Sequence, residues 1–268
     1  MTALLTAATG LACVFAFISL AWVVQWRSGN AGIVDAFWSW SLGFLGLWYA
    51  LLGPAPEPQR LLLGVMAALW GLRLGLHLFL RNHGKPEDRR YKKFRDEWGA
   101  QANRNMFFFF HFQTLFAMLL SAAFLVAAYN TQPVAPALLA LAAAIWLVSV
   151  IGEGIADRQM ERFRANPANH GQVCRDGLWR WSRHPNYFFE CLHWLAYLPL
   201  AVGSSWWPAA LVSPLVMWWL LMRMSGIPIL EAHMAASKTG YAEYMRTTSA
   251  LIPWPPKSRE SGMGNRES

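Results

Sequence analysis

Residues 3–26 carry no charged side chain, and this is the first of seven such apolar stretches. Residues 33–53 hold only Asp35, residues 61–80 only Arg73 and His77, and residues 106–129 no formal charge. Residues 135–151 and 206–222 are uncharged, and residues 187–202 hold Glu190 and His193. A bilayer core takes about 20 apolar residues per helix, with a range of about 17–25. In hydrocarbon every backbone N–H and C=O must be satisfied within the segment, so single runs of this kind are helices. The expectation is an all-α integral membrane protein of about seven transmembrane helices, the sixth the shortest.

Composition excludes the other classes. Hydrophobic residues are 55% and charged residues 14%, against about 25% charged in soluble domains. A soluble domain of this make-up has too few polar atoms to cover its surface. Disordered, collagen-like, coiled-coil and small disulfide-scaffold chains are excluded too. Cys13, Cys174 and Cys191 show neither paired nor metal-ligand spacing, and no metal site is expected. Residues 1–6 contain no basic residue, so the first run reads as a membrane helix and not a signal peptide.

The basic residues set the topology. With the amino terminus outside, the cytoplasmic segments are residues 27–32, 81–105, 157–186 and the tail from 223. They hold 21 of the 23 lysines and arginines, as the positive-inside rule requires. The carboxyl terminus is then cytoplasmic, and the chain a multi-pass protein of a bacterial inner (cytoplasmic) membrane. The net charge of +8 reads as topology and attraction to anionic headgroups, not as nucleic-acid binding. Outer loops are short and inner segments long and polar, so a cytoplasmic-facing cofactor cleft is expected. No repeat divides the chain. The reading is one membrane domain over residues 1–255, with 1–130 on the substrate side and 131–255 binding cofactor. A disordered tail follows at 256–268.

An ionisable group at membrane depth costs about 2.5–3.5 kcal/mol on insertion scales, so it faces a cavity or a partner. Glu153, Asp157, Glu161 and Arg164 form one helical stripe; a salt-bridged helix end is the plainer alternative. In GLWRWSRHPNYFFECLHW, Ser182 suits a helix cap and Pro185 a first turn. Asn186, Glu190 and His193 then share a face. Arg183 and His184 sit at the helix start, whose free N–H groups favour a phosphate or carboxylate clamped by Arg183, and both are expected to bind the cofactor; the plainer alternative is a positive anchor with a buried Asn–Glu pair. In the tail, Glu231, His233, Tyr241 and Tyr244 lie on what is by itself an ordinary amphipathic helix.

RHPNYFFE followed by GYAEYMRTTSALIPW resembles the steroid 5-alpha-reductase superfamily. That superfamily includes sterol reductases and isoprenylcysteine carboxyl methyltransferases. GIVDAFWSW, WGLRLGLHL and GKPEDRRYKKFRDEWG extend the likeness to its uncharacterised bacterial branch. The resemblance implies an NADPH-dependent reductase of an activated carbon–carbon double bond in a steroid-like or other lipid. It implies cofactor contacts at Asp157 and Arg164, at Asn186 and Glu190, at His233 and Tyr244, and at Lys85 near the phosphates. The ketone-polarising tyrosine and glutamate of the steroid enzymes do not align here, and Glu153 stands where those reductases have an asparagine. Asp35, Arg73 and His77 are the catalytic candidates, with Asp35 expected to pair with Arg73 and orient a proton donor. Tyr91, in the inner segment, is a further candidate donor, but surface packing is the favoured reading for it.

Two alternatives stay open. S-adenosylmethionine-dependent methyl transfer would use the same segments, and a non-catalytic lipid-binding protein would use none of the chemistry. The expected partners are the bilayer and a hydrophobic lipid substrate, with no obligate protein partner.

Overall fold

The computed structural model describes residues 1–224 and 226–257. Most of the tail expected to be disordered, from 258 on, lies outside the described residues. Among the described residues the chain is helical, and the one β-type pairing is a parallel bridge of Ser182 with Ser249. The helices are α1 Ala3–Ser28, α2 Val34–Leu52, α3 Glu57–Asn82, α4 Arg89–Trp98, α5 Ala102–Leu120, α6 Ala122–Tyr129 and α7 Pro136–Ala165. After these come α8 Pro185–Leu195, α9 Leu198–Ala201, α10 Trp207–Ala210, α11 Val212–Trp219, α12 Ile227–Ser237 and α13 Tyr241–Thr247.

Five helical runs among the described residues are long and apolar enough to cross a membrane: Ala3–Ser28, Glu57–Asn82, Arg89–Tyr129, Pro136–Ala165 and Trp207–Ser237. The protein is therefore a membrane-embedded helical protein. Two of the seven expected runs do not reach that standard. Helix α2 has 19 residues, about 28 Å at 1.5 Å each, but Asp35, Ser39 and Ser41 dilute its apolarity, and 11 of its residues are buried. The sixth run is broken. Helix α8 stops at Leu195, where Pro199 lacks the N–H that would bond the Leu195 carbonyl. The seventh run divides around Leu211 and ends in a π-turn, Leu220–Met224, before α12.

The chain forms two compact units. One comprises Met1–Ala144 with Trp194–Val216, and the other Ile145–His193 with the chain from Met217. In the first unit α2 and α3 pack through small residues. A Cβ on Gly71 would stand 2.7 Å from the Gly43 Cα and 2.8 Å from the Ser39 oxygen. Such stripes let membrane helices approach closely, where van der Waals contact replaces the hydrophobic effect. At one end of this unit Asn82 Nδ2 donates to the Gly32 oxygen at 3.0 Å, and Asn30 Nδ2 to the Lys85 oxygen at 3.2 Å. At the other end Gln59 Nε2 donates to the carbonyls of Ala127, Asn130 and Leu200 at 3.1–3.3 Å. Segments expected on one side of the membrane thus meet at one end of the unit.

In the second unit α7 carries the stripe seen in the sequence. Its 30 residues span about 45 Å, against a hydrocarbon core of about 30 Å, so its polar carboxyl-terminal turns extend past the apolar layer. Gly177, at φ +55°, approaches α7 so closely that a Cβ there would meet Gln159 Nε2 at 2.2 Å. The Gln159 side-chain Oε1 accepts the Leu178 N–H at 2.9 Å, and the Trp179 indole donates to the Ala156 oxygen at 2.9 Å.

Candidate functional site

Each unit holds one cluster of the titratable side chains singled out above. In the first, Asp35 lies in the opening turn of α2. Tyr91 donates to its Oδ1 at 2.6 Å, and Arg90 Nη2 to its Oδ2 at 3.1 Å. The expected partner was Arg73; the structure gives the carboxylate to Arg90 and Tyr91 of α4 instead. Pro86 discourages an earlier helix start, and Asp88 caps α4 by accepting the Arg90 N–H at 2.9 Å. Burial pushes the Asp88 carboxyl up, but the Arg90 guanidinium and N–H outweigh it and hold the group below its ordinary range. Glu87 locks the same segment to the α1–α2 turn. It accepts the Ala31 N–H at 2.8 Å and a fork from Arg95 at 2.9 and 3.0 Å.

Tyr91 is only 3% exposed, which overturns surface packing as its role. The signal for this was present. Tyr91, Phe94 and Trp98 recur at three and four residues, one face of a helix, and that face meets Phe109 at ring-centroid distances of 6.0, 5.4 and 6.5 Å. Arg73 and His77 are half-buried one turn apart on α3, and Lys85 is exposed.

In the second unit Asn186 Nδ2 reaches Asp157 Oδ1 at 3.4 Å, joining α8 to α7. Glu190 is 7% and His193 0% exposed further along α8, and Glu153 is 5% exposed on α7. Asp157 and Arg164 lie two turns apart on one face of α7, about 10 Å along its axis. Arg164 and His233 are exposed. Lys238 donates to the Gln172 oxygen at 2.7 Å. Burial and then the Arg164 guanidinium depress its ammonium pKa.

Arg183 and His184 are spent inside the protein. Arg183 makes a fork on Glu231, Nε to Oε1 at 2.6 Å and Nη2 to Oε2 at 3.1 Å. Its Nη1 donates to the carbonyls of Met245 at 2.9 Å and Thr248 at 2.5 Å. His184, 2% exposed, meets Glu231 Oε1 through Nε2 at 2.9 Å. The Tyr244 hydroxyl donates to the carbonyls of Trp179 and Ser182. Ser182 Oγ donates to the Leu251 oxygen at 2.8 Å and accepts the His184 N–H at 3.1 Å. The anion clamp expected of Arg183 is thus a latch that binds the carboxyl-terminal segment to the start of α8. Burial pushes the Tyr241 hydroxyl up to about 12, helped by the Glu231 charge. Burial raises Tyr244 further still, with Tyr241 adding to it.

The family profile described as "Protein of unknown function (DUF1295)" matches residues 21–248. The chain belongs to the DUF1295 family. No curated protein and no solved structure matches it. The DUF1295 match covers both clusters, from Asp35 through Tyr244, together with the Arg183–Glu231 latch.

Proposed function

We propose that this protein is a membrane-embedded, NADPH-dependent reductase of an activated carbon–carbon double bond in a steroid-like or other lipid. In this reading it belongs to the steroid 5-alpha-reductase-like group and sits in the bacterial inner membrane with its carboxyl terminus cytoplasmic. The observation that carries the reading is the Asp157–Asn186 contact. It joins two of the residues, one on each helix, that the resemblance assigns to the cofactor.

The second unit fits a phosphorylated dinucleotide on a further ground. Burial and then the Arg164 charge depress the Lys238 ammonium pKa, and a phosphate there would pair with both cations. Arg183 does not contribute, because Glu231 and two carbonyls take its donors. When bound, NADPH would supply the hydride. Asp157, Asn186 and Arg164 bind and orient it, and the latch of Arg183, Glu231 and Tyr244 fixes the start of α8 that carries Asn186.

Within the first unit, Tyr91 is the candidate proton donor. Asp35, held by Arg90 at 3.1 Å, accepts the Tyr91 hydroxyl at 2.6 Å and so fixes its ring. A phenol held in this way is the kind of group that donates a proton where negative charge develops as an activated alkene is reduced. Arg73 and His77, one turn apart on α3, are assigned to the substrate side.

The test is loss of the nicotinamide absorbance in proteoliposomes supplied with an enone lipid. The reading expects loss that needs both the lipid and the protein, and a reduced lipid two hydrogens heavier. Methyl transfer from S-adenosylmethionine is the second reading. The internal use of Arg183 favours it, since one cation is removed from those available to phosphate.

A further inference from the structure

The carboxyl-terminal strap, residues 248–257, runs beside residues 179–183. The Trp254 N–H donates to the Trp181 oxygen at 2.9 Å, and the Lys257 N–H to the Thr247 oxygen at 2.8 Å. Its side chains alternate. Leu251 is 9% exposed, whereas Ile252 is 63% and Trp254 69% exposed, and Trp181 across the pairing is 42% exposed. Arg180, Arg246 and Lys257 are exposed around them. None of these three makes an ion pair or side-chain hydrogen bond with another described residue.

We infer that this strap is a membrane-interface anchor, seated at headgroup level and held by anionic phospholipid headgroups. Three physical requirements meet at that depth. An irregular strap with exposed backbone groups, carrying Lys257 and flanked by Arg180 and Arg246, is excluded from the hydrocarbon core. Two tryptophans and an isoleucine side by side form the kind of apolar patch that marks a membrane or protein contact. Tryptophan with its amphipathic ring belongs at the interface, and unpaired arginine and lysine there meet lipid phosphates. The contrast lies on α4, where Lys92 pairs with Asp96 at 3.4 Å and Lys93 with Glu97 at 3.7 Å.

The test is native mass spectrometry of the full-length protein in detergent micelles, titrated with phosphatidylglycerol and phosphatidylcholine of identical acyl chains. The wild type should retain the anionic lipid in preference. Arg180→Gln with Arg246→Gln and Lys257→Gln should lose that preference, by up to about fivefold per cation. Lys92→Gln with Lys93→Gln should change retention by less than about twofold, since those cations are already neutralised. Trp181→Ala with Trp254→Ala should weaken retention of both lipids. Unchanged phosphatidylglycerol retention in the triple variant, or no preference in the wild type, overturns the inference. So does a wild-type dimer that Trp254→Ala splits while lipid retention stays the same, because the patch would then be an interface between copies.

Discussion

Tyr91 donates its phenolic hydrogen to Asp35 Oδ1 across 2.6 Å, and Arg90, the adjacent residue, binds the other oxygen of the same carboxylate at 3.1 Å. A charged run that reads as a solvated cytoplasmic segment thereby delivers a buried hydroxyl to the first turn of α2. Tyr91→Phe removes the hydrogen and keeps the ring against Phe109. Turnover of an enone lipid should fall about 10²-fold, with NADPH affinity within about twofold of wild type. Asp35→Asn should lower turnover less, because an amide oxygen can still hold the tyrosine. Steady-state kinetics beside a binding titration separates the two effects. Equal loss of binding and turnover would make the pair purely structural.

The Arg183–Glu231 fork is nearly buried, with side chains 10% and 11% exposed. Arg183→Met strands a buried carboxylate with His184 as its remaining side-chain partner and frees two carbonyls. It should destabilise the protein by about 3–5 kcal/mol. Replacing both residues, Arg183→Met with Glu231→Leu, should recover at least half of that loss, since no charge is left unpaired. Denaturant titration in micelles reads both values. A phosphate clamp would behave otherwise: Arg183→Met would keep its stability and lose cofactor.

The tyrosine latch predicts alkaline sensitivity. Tyr241 and Tyr244 both have pKa values raised above 10, Tyr241 to about 12. A raised folded-state pKa means that the unfolded chain releases its proton first. The contribution is therefore whole below about pH 10 and falls as pH climbs toward 12. Apparent Tm between pH 8 and 11.5 should drop in the wild type. It should drop less in Tyr241→Phe with Tyr244→Phe, whose stability at pH 8 starts about 1–3 kcal/mol lower for the carbonyls left bare.

The charge asymmetry predicts that reporters fused after Arg104 and after Asn130 lie on opposite sides of the membrane. Within the first unit, Trp22 Nε1 donates to the Asn103 oxygen at 2.8 Å, late in α1, whereas Tyr129 donates to the Met1 oxygen at 3.2 Å, before α1 begins. Phosphatase and fluorescent-protein fusions at the two positions should give complementary signals. The same side for both would contradict the topology.

The membrane character was legible because contiguous apolarity is a local property, readable without tertiary contacts. The start of α8 followed from Pro185, which suits a first turn and opens that helix. The crossings were harder. Asp35 of α2 is held by Arg90 and Tyr91 of α4, and Pro199 ends α8 short, so five runs among the described residues are long and apolar enough to cross a membrane. In the candidate site, the faces that carry Asp157 and Asn186 were legible from helical spacing, and the two side chains meet at 3.4 Å. Arg183 was misread because its partner, Glu231, is 48 residues away, and nothing local distinguishes an arginine that faces a ligand from one that faces a carboxylate. Tyr91 was set aside because its charged neighbours hid the three-and-four spacing of its aromatic face.

The central claim is that the second unit binds NADPH through Asp157 and Asn186. Isothermal titration of the purified protein in gentle detergent, with NADPH and with S-adenosylmethionine, tests it most directly. The account predicts saturable NADPH binding that weakens at least tenfold in Asn186→Ala and in Glu190→Gln, with apparent Tm unchanged, and no heat from S-adenosylmethionine. Saturable binding of S-adenosylmethionine with none of NADPH would contradict it.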